Sequence, residues 1–275
     1  LLNIGGMQLF RVESPDTTEK ILPKTREVTL IISIIYLALT FVCGFAYWGA
    51  GMNIFDSVAH SMTTIATGGF SNYNQSIGYF NSAKIEFVSI IFILLGSLPF
   101  IAYVKFINGN RKIFFNDAQI KTFIKLILIS ILILFLYLFL KNGKLIFLDF
   151  RTIIFNIVSI LTGTGYISGE YDKWGSFPLF YFLILMFIGG CAGSTTCGIK
   201  IFRVQILYKF VINQLKRFIY PRGIFVIKYE NNTVNDKFLA SIISFIFLYI
   251  IIFFILTALL SVTGLDFITS ISGAA

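Results

Sequence analysis

Five long uncharged runs divide the chain: Val28 to Trp48, Phe87 to Val104, Leu126 to Leu140, Phe177 to Ile199 and Phe238 to Leu265. A bilayer-spanning helix needs about 20 apolar residues, so each run predicts a span, the third one short by this count. Lys121 and Lys125 can snorkel from the first turns of that third helix, which extends its apolar stem toward Ile120. Segments 49–86 and 141–176, which separate the first two spans and the next two, are semi-apolar and longer than simple hairpins. In the first of them Ile54, Phe55, Val58, Ala59, Met62 and Ile65 recur at helical spacing, with Asp56 and Ser57 in the first turn, where a helix N-terminus favours them. The second repeats the pattern with Ile153, Ile154, Ile157, Val158, Ile160 and Leu161.

Each short helix runs into a glycine turn. SMTTIATGGFS at 61–71 closes on Gly69-Phe70, and VSILTGTGYIS at 158–168 closes on Gly165-Tyr166, 96 residues later. The predicted unit is therefore span, re-entrant loop, span, present twice. A polar glycine turn is tolerated at membrane depth only where it is buried in protein or lines a water-filled path. A third copy begins with the span 238–265 and the helix-like DFITSISGAA, and stops before any such turn. The opening LLNIGGMQLFRVESP reads as the cytoplasmic tail of a span upstream of residue 1. The chain is expected to be an internal stretch of a longer repeat protein.

Composition agrees with this topology: 57% hydrophobic and 13% charged residues exclude an ordinary soluble domain. Of the 22 Lys and Arg residues, 17 fall in segments 1–27, 105–125 and 200–237, and 5 in the two glycine-turn segments. Cytoplasmic loops collect basic residues, so both glycine turns lie on the far side of the membrane. The net charge of +9 then describes a cytoplasmic face turned toward anionic membrane lipid, and nucleic-acid binding is not needed to explain it.

A cation that crosses a bilayer loses its water shell, and rings of backbone carbonyls replace it. Glycine adopts the backbone conformations that let carbonyls crowd an axis. The preceding short helix aims the negative end of its dipole at the same place. The candidate filter residues are Thr67, Gly68 and Gly69 in one turn and Gly163, Thr164 and Gly165 in the other. Asp56 is either a helix-start residue or an ion ligand. Asp149, Glu170 and Asp172 either concentrate cations at the outer mouth or are solvated loop charges.

The fourth run is interrupted by GGCAGSTTCG at 189–198, which is too small and polar for a continuous lipid-facing helix. Gly189, Gly190, Cys191, Ala192, Gly193, Ser194, Thr195 and Thr196 are expected to break it, forming a loop beneath the filter that can block or open the path. Close helix packing is the other use of such small residues.

An intramembrane enzyme would need acid, base or metal ligands in its spans, which carry no charge. The sole histidine, His60, lies on a short helix and suits a structural hydrogen bond. Cys43, Cys191 and Cys197 form no CxxC pair, and no nucleotide motif is present, so no catalytic residue, metal centre or cofactor is assigned. A coupled secondary transporter would want an intramembrane carboxylate, and the spans have none.

GGMQLFRVESP, FDSVAHSMTTIATGGFS, LGSLPF, GTGY and GGCAGSTTCGIKIFR together resemble the Trk/Ktr/HKT superfamily of potassium uptake proteins, most closely its bacterial TrkH-type subunits. The resemblance runs along essentially the whole chain. It implies an all-α polytopic membrane protein of potassium-channel-like pore architecture, with four span, pore-loop, span repeats around one pore. Residues 1–27 would be a cytoplasmic segment after the first repeat, 28–107 repeat two, and 121–210 repeat three with its broken span and gating loop 189–198. Residues 211–237 would be a cytoplasmic loop and 238–275 the start of repeat four. The implied function is the pore-forming subunit of a K+ uptake system in the bacterial cytoplasmic membrane. K+ is the transported ion, held by the backbone carbonyls of Thr67, Gly68, Gly163 and Thr164. The implied partners are a second copy in a homodimer and a cytosolic nucleotide-binding regulatory subunit that docks on 200–237. A Na+- or H+-coupled K+ symporter and a Na+-permeable relative are the rival readings. Relatives usually read Gly-Gly before Ile-Lys, where this chain has Cys197-Gly198, a departure that bears on loop flexibility rather than selectivity.

Overall fold

The structure, a computed structural model, describes residues 25–143, 147–223, 225–229 and 232–275. The opening cytoplasmic segment as far as residue 24, Lys144 of the charge count and the side chain of Asp149 lie outside what is described. The chain divides into two compact units, residues 1–198 and 199–275.

In the first unit α1 (Thr25–Gly49) is the first span, and Gly51 in left-handed conformation turns the chain into α2 (Ile54–Ile65). Asn53 caps α2 by accepting from the Asp56 amide at 2.7 Å. A 12-residue helix is about 18 Å long, well short of the roughly 30 Å hydrocarbon layer, so α2 enters without crossing. After a 3-10 turn (Ser76–Phe80) come α3 (Ala83–Ser97) and α4 (Phe100–Ile107).

The expectation of one continuous span over Phe87 to Val104 is corrected here, because α3 and α4 meet at 85°. Pro99 brings no N–H to continue the ladder and pushes Leu98 into extended conformation, which ends the helix.

A short turn of helix, α5 (Ile113–Asn116), leads to α6 (Ala118–Asn142), capped by Asp117 at its start and by left-handed Gly143 at its end. Its 25 residues make the third span longer than the uncharged run alone, in the direction that snorkelling lysines allow. The 15-residue α7 (Phe147–Leu161) is the second short helix. A 3-10 turn (Tyr171–Trp174) and α8 (Ser176–Phe187) follow. The helix stops at Ile188, at the predicted break.

Buried hydroxyls tie these helices together. Tyr47 of α1 donates to Ser89 Oγ of α3 at 2.9 Å and lies 2.8 Å from Thr64 Oγ1 of α2. Tyr181 of α8 donates to Ser130 Oγ of α6 at 2.9 Å. Between the two repeats, Arg151 Nε of α7 stands 2.8 Å from Glu86 Oε2 of α3, an ionic contact in which the N–H is not aimed at the oxygen.

The second unit holds α9 (Ile201–Ile219), a two-stranded antiparallel hairpin (β1 Lys228–Tyr229, β2 Asn232–Thr233), the span α10 (Asp236–Val262) and α11 (Phe267–Ala274). The Arg203 guanidinium lies 3.8 Å from the Phe245 ring centre and ties α9 to α10. Asp266 caps α11 through the Thr269 amide, so the stretch 266–275 holds a short helix.

Candidate functional site

The two glycine turns share a hydrogen-bonding pattern at the constant offset of 96 residues. Ala66 N–H donates to Met62 O, as Thr162 donates to Val158 O. Thr67 donates to Thr64 O and Gly68 to Thr63 O, as Gly163 donates to Ile160 O and Thr164 to Ser159 O. A side-chain clasp repeats too: Thr63 Oγ1 donates to Phe70 O at 3.0 Å and Ser159 Oγ to Tyr166 O at 2.7 Å, each hydroxyl folding the turn back on its own helix. Sequence reasoning passed over Thr63 and Ser159. Their signal was a hydroxyl seven residues ahead of the aromatic in both copies.

Backbone conformation follows the same rhythm. Thr67 and Gly69 have φ of 50° and 65°, and Gly163 and Gly165 have φ of 71° and 82°, while Gly68 and Thr164 lie outside the left-handed region. Thr67 is the exception in kind, a β-branched residue in a conformation that its counterpart Gly163 reaches without strain.

The two turns touch. A Cβ placed on Gly69 would stand 1.8 Å from Thr164 O, so no side chain fits there, whereas a Cβ on Gly165 would meet nothing within 4 Å. Tyr166 crosses from the second turn into the first repeat. It is fully buried, its hydroxyl lying 2.5 Å from Thr63 Oγ1 and 3.2 Å from His60 O. Phe70, its counterpart, is exposed.

The outer side of the first turn is pinned by Asp56, whose carboxylate accepts from Asn53 Nδ2, Asn72 Nδ2 and Tyr73 Oη at 2.8, 3.0 and 2.8 Å. Asp56 thus ties the helix start to the chain leaving the turn, and its carboxylate raises the Tyr73 phenol above its ordinary range. His60 is buried, with Nδ1 2.8 Å from Asp56 O and Nε2 2.9 Å from Ser71 Oγ, the structural role its position suggested. Glu170 pairs with Lys173 on an exposed turn.

Residues 188–198 form an ordered, non-helical loop packed against the bend between α3 and α4. The loop N–H groups of Cys191 and Thr195 donate to Ser97 O and Gly96 O at 3.3 and 3.2 Å, and Gly193 O accepts from Phe100 N–H at 2.9 Å. Gln119 Oε1 at the start of α6 accepts from Ala192 N–H at 2.9 Å. Within the loop Ser194 Oγ donates to Cys191 O, and Thr196 Oγ1 accepts from Gly190 N–H. A Cβ on Gly189 would stand 1.9 Å from Cys197 O, so the glycine there is required by space. The loop reaches both turns. Thr195 binds Ile65 O and Thr67, and the Cys197 side chain would lie 3.1 Å from a Cβ on Gly163.

A family model for a cation transport protein, TrkH, matches residues 1–273. The chain is 37% identical over 275 residues to the Trk system potassium uptake protein TrkI of Halomonas elongata, covering 100% of this chain and 56% of that one. It is 33% identical to the Trk system potassium uptake protein TrkH of Escherichia coli K12, covering 97% of this chain and 56% of the relative. It also matches the crystal structure of the potassium transporter TrkH from Vibrio parahaemolyticus with a TM-score of 0.85 and 32% identity, over 92% of this chain and 55% of that one. The chain spans about half the length of these relatives.

Proposed function

This chain belongs to the TrkH family of cation transport proteins, and from that membership we propose that it supplies two pore units of a K+ uptake protein in the bacterial cytoplasmic membrane. The observation that carries this reading is the pair of turns, which share three backbone hydrogen bonds and a hydroxyl clasp at one constant offset, with Gly69 seated against Thr164 O. In the proposed mechanism the carbonyls of Thr67, Gly68, Gly163 and Thr164 take over part of the ion's hydration shell, and Gly69 and Gly165 shape the backbone. The C-terminal ends of α2 and α7 add negative potential there and disfavour anions. Repeat two is assigned to 28–107, repeat three to 121–210 and the start of repeat four to 238–275, with 211–237 as a cytoplasmic loop.

Loop 189–198 is the proposed gate. Its contacts with both turns, Thr195 with Thr67 and Cys197 beside Gly163, and its non-helical backbone support that role over simple helix packing. Homodimerisation and docking of a nucleotide-binding regulatory subunit on the basic stretch 200–237 are further proposals. They rest on the family resemblance and on the positive charge of α9, which carries Arg203, Lys209, Lys216 and Arg217.

The test uses the full-length protein carrying Gly69→Ala in a strain lacking other K+ uptake. Loss of growth at low external K+ is expected, with membrane insertion checked separately. Growth with unchanged ion preference would remove these turns from the conduction path.

A further inference from the structure

The bend between α3 and α4 leaves open backbone groups that a continuous helix would have paired internally, the Gly96 and Ser97 carbonyls and the Phe100 amide. All three find partners in loop 188–198, so the break in the second repeat and the loop of the third complete each other. One residue does more than complete the break. Thr195 donates its hydroxyl to Ile65 O, the last residue of α2, at 2.8 Å, and shares it with Gly96 O at 3.1 Å. Its amide donates to the same Gly96 carbonyl. Its own carbonyl accepts from Thr67 Oγ1 at 2.9 Å.

Thr67 is the filter-turn residue whose φ of 50° a β-branched side chain disfavours. The contact with Thr195 fastens its side chain while the loop is seated.

We propose that Thr195 is a positioning residue that couples the loop to the ion path. It holds Thr67 in its left-handed conformation while the loop is in place and releases it when the loop leaves. This rests on the reading that the turns conduct and that the loop gates. Withdrawal of the loop then breaks the Thr67–Thr195 hydrogen bond and leaves the Thr67 hydroxyl only the Ala66 carbonyl of its own turn, 2.8 Å away, so the strained residue loses its tie to the loop. Gate position and filter shape change together.

Recordings from the full-length protein in planar bilayers test this, reading open probability and the K+/Na+ permeability ratio from reversal potentials. Thr195→Val keeps the carbonyl that accepts from Thr67 but removes the hydroxyl bond to Ile65 O that seats it, so the loop leaves more often: open probability is expected to rise about tenfold, the size of losing one buried hydrogen bond, and the permeability ratio to fall. Thr195→Ser, which keeps the hydroxyl, holds both near the parent values.

The deciding arm is Thr67→Gly, which places at position 67 the residue type the second turn already has at Gly163 and removes the strain. In that background Thr195→Val should leave the permeability ratio unchanged. If Thr195→Val shifts the ratio equally in both backgrounds, or never shifts it, the coupling is overturned, while a flux increase on deleting 190–196 would leave the gate reading standing. Should Thr195→Val fail to insert, Thr195→Ala, which also lacks the hydroxyl, carries the same comparison between the parent and Thr67→Gly backgrounds. A ratio shift of equal size in the two, or none in either, again overturns the proposal.

Discussion

Gly69 and Thr164 are in backbone contact: the place where a Cβ would sit on Gly69 lies 1.8 Å from the Thr164 carbonyl oxygen, although 95 residues separate them in the chain. Gly165 has the same handedness and an open surround, so the two turn glycines are required for different reasons.

Alanine substitution should separate them. At Gly165 the cost is conformational, about 1–2 kcal/mol for a left-handed residue with a side chain. At Gly69 an immovable backbone oxygen adds overpacking, for a total of about 3 kcal/mol or more. Thermal unfolding in detergent should therefore show Gly69→Ala melting well below Gly165→Ala. Equal melting would mean the turns do not touch.

The hydroxyl clasps should also be unequal. Ser159→Ala strands a buried carbonyl at Tyr166 and should cost about 1–3 kcal/mol, whereas Thr63→Val frees a carbonyl at exposed Phe70 that water can reach and leaves the buried Tyr166 hydroxyl its other partners, Thr64 Oγ1 and His60 O, and should cost less. The same unfolding measurement, with tracer Rb+ uptake beside it, checks the order.

Arg151 and Glu86 form the charged contact between the repeats, their side chains 18% and 2% exposed. Arg151→Met leaves a buried carboxylate unpaired and should destabilise by about 3–5 kcal/mol. Glu86→Gln in the same protein should recover most of that loss. A double variant no better than Arg151→Met would show that the arginine acts through packing instead.

Cys197 offers a direct probe of the proposed ion path beside the second turn. Its thiol is exposed beside Gly163, whereas Cys43 and Cys191 are buried. A membrane-impermeant methanethiosulfonate reagent applied from the cytoplasmic side should reduce K+ current in the parent and leave Cys197→Ser untouched. Block that persists in Cys197→Ser would place the reactive thiol elsewhere. Deletion of Gly190 to Thr196 should raise K+ flux, and unchanged flux would favour the packing role for those small residues.

The spans, the short helices and the glycine turns were legible because each depends on local chemistry: apolar run length, helical spacing, a capping residue, a conformation only glycine reaches easily. Asp56 was readable as a helix-start residue for the same reason, while its reach to Asn72 and Tyr73 was not, since those partners lie across a loop. The bend at Pro99 was hidden inside a long apolar run. Hydropathy is blind to it, although the proline itself was the available signal.

By itself, then, the sequence determined a polytopic membrane protein with two copies of a short helix that ends in a glycine turn, and it supplied the expectation of which side those turns face and which residues line a cation path. Only the tertiary structure decided that Gly69 lies against Thr164, that Tyr166 crosses into the neighbouring repeat, and that Thr195 joins the loop to Thr67. Those contacts join residues about 95 to 130 positions apart. Periodicity and propensity act over a few turns of chain, whereas such meetings are set by how whole helices pack.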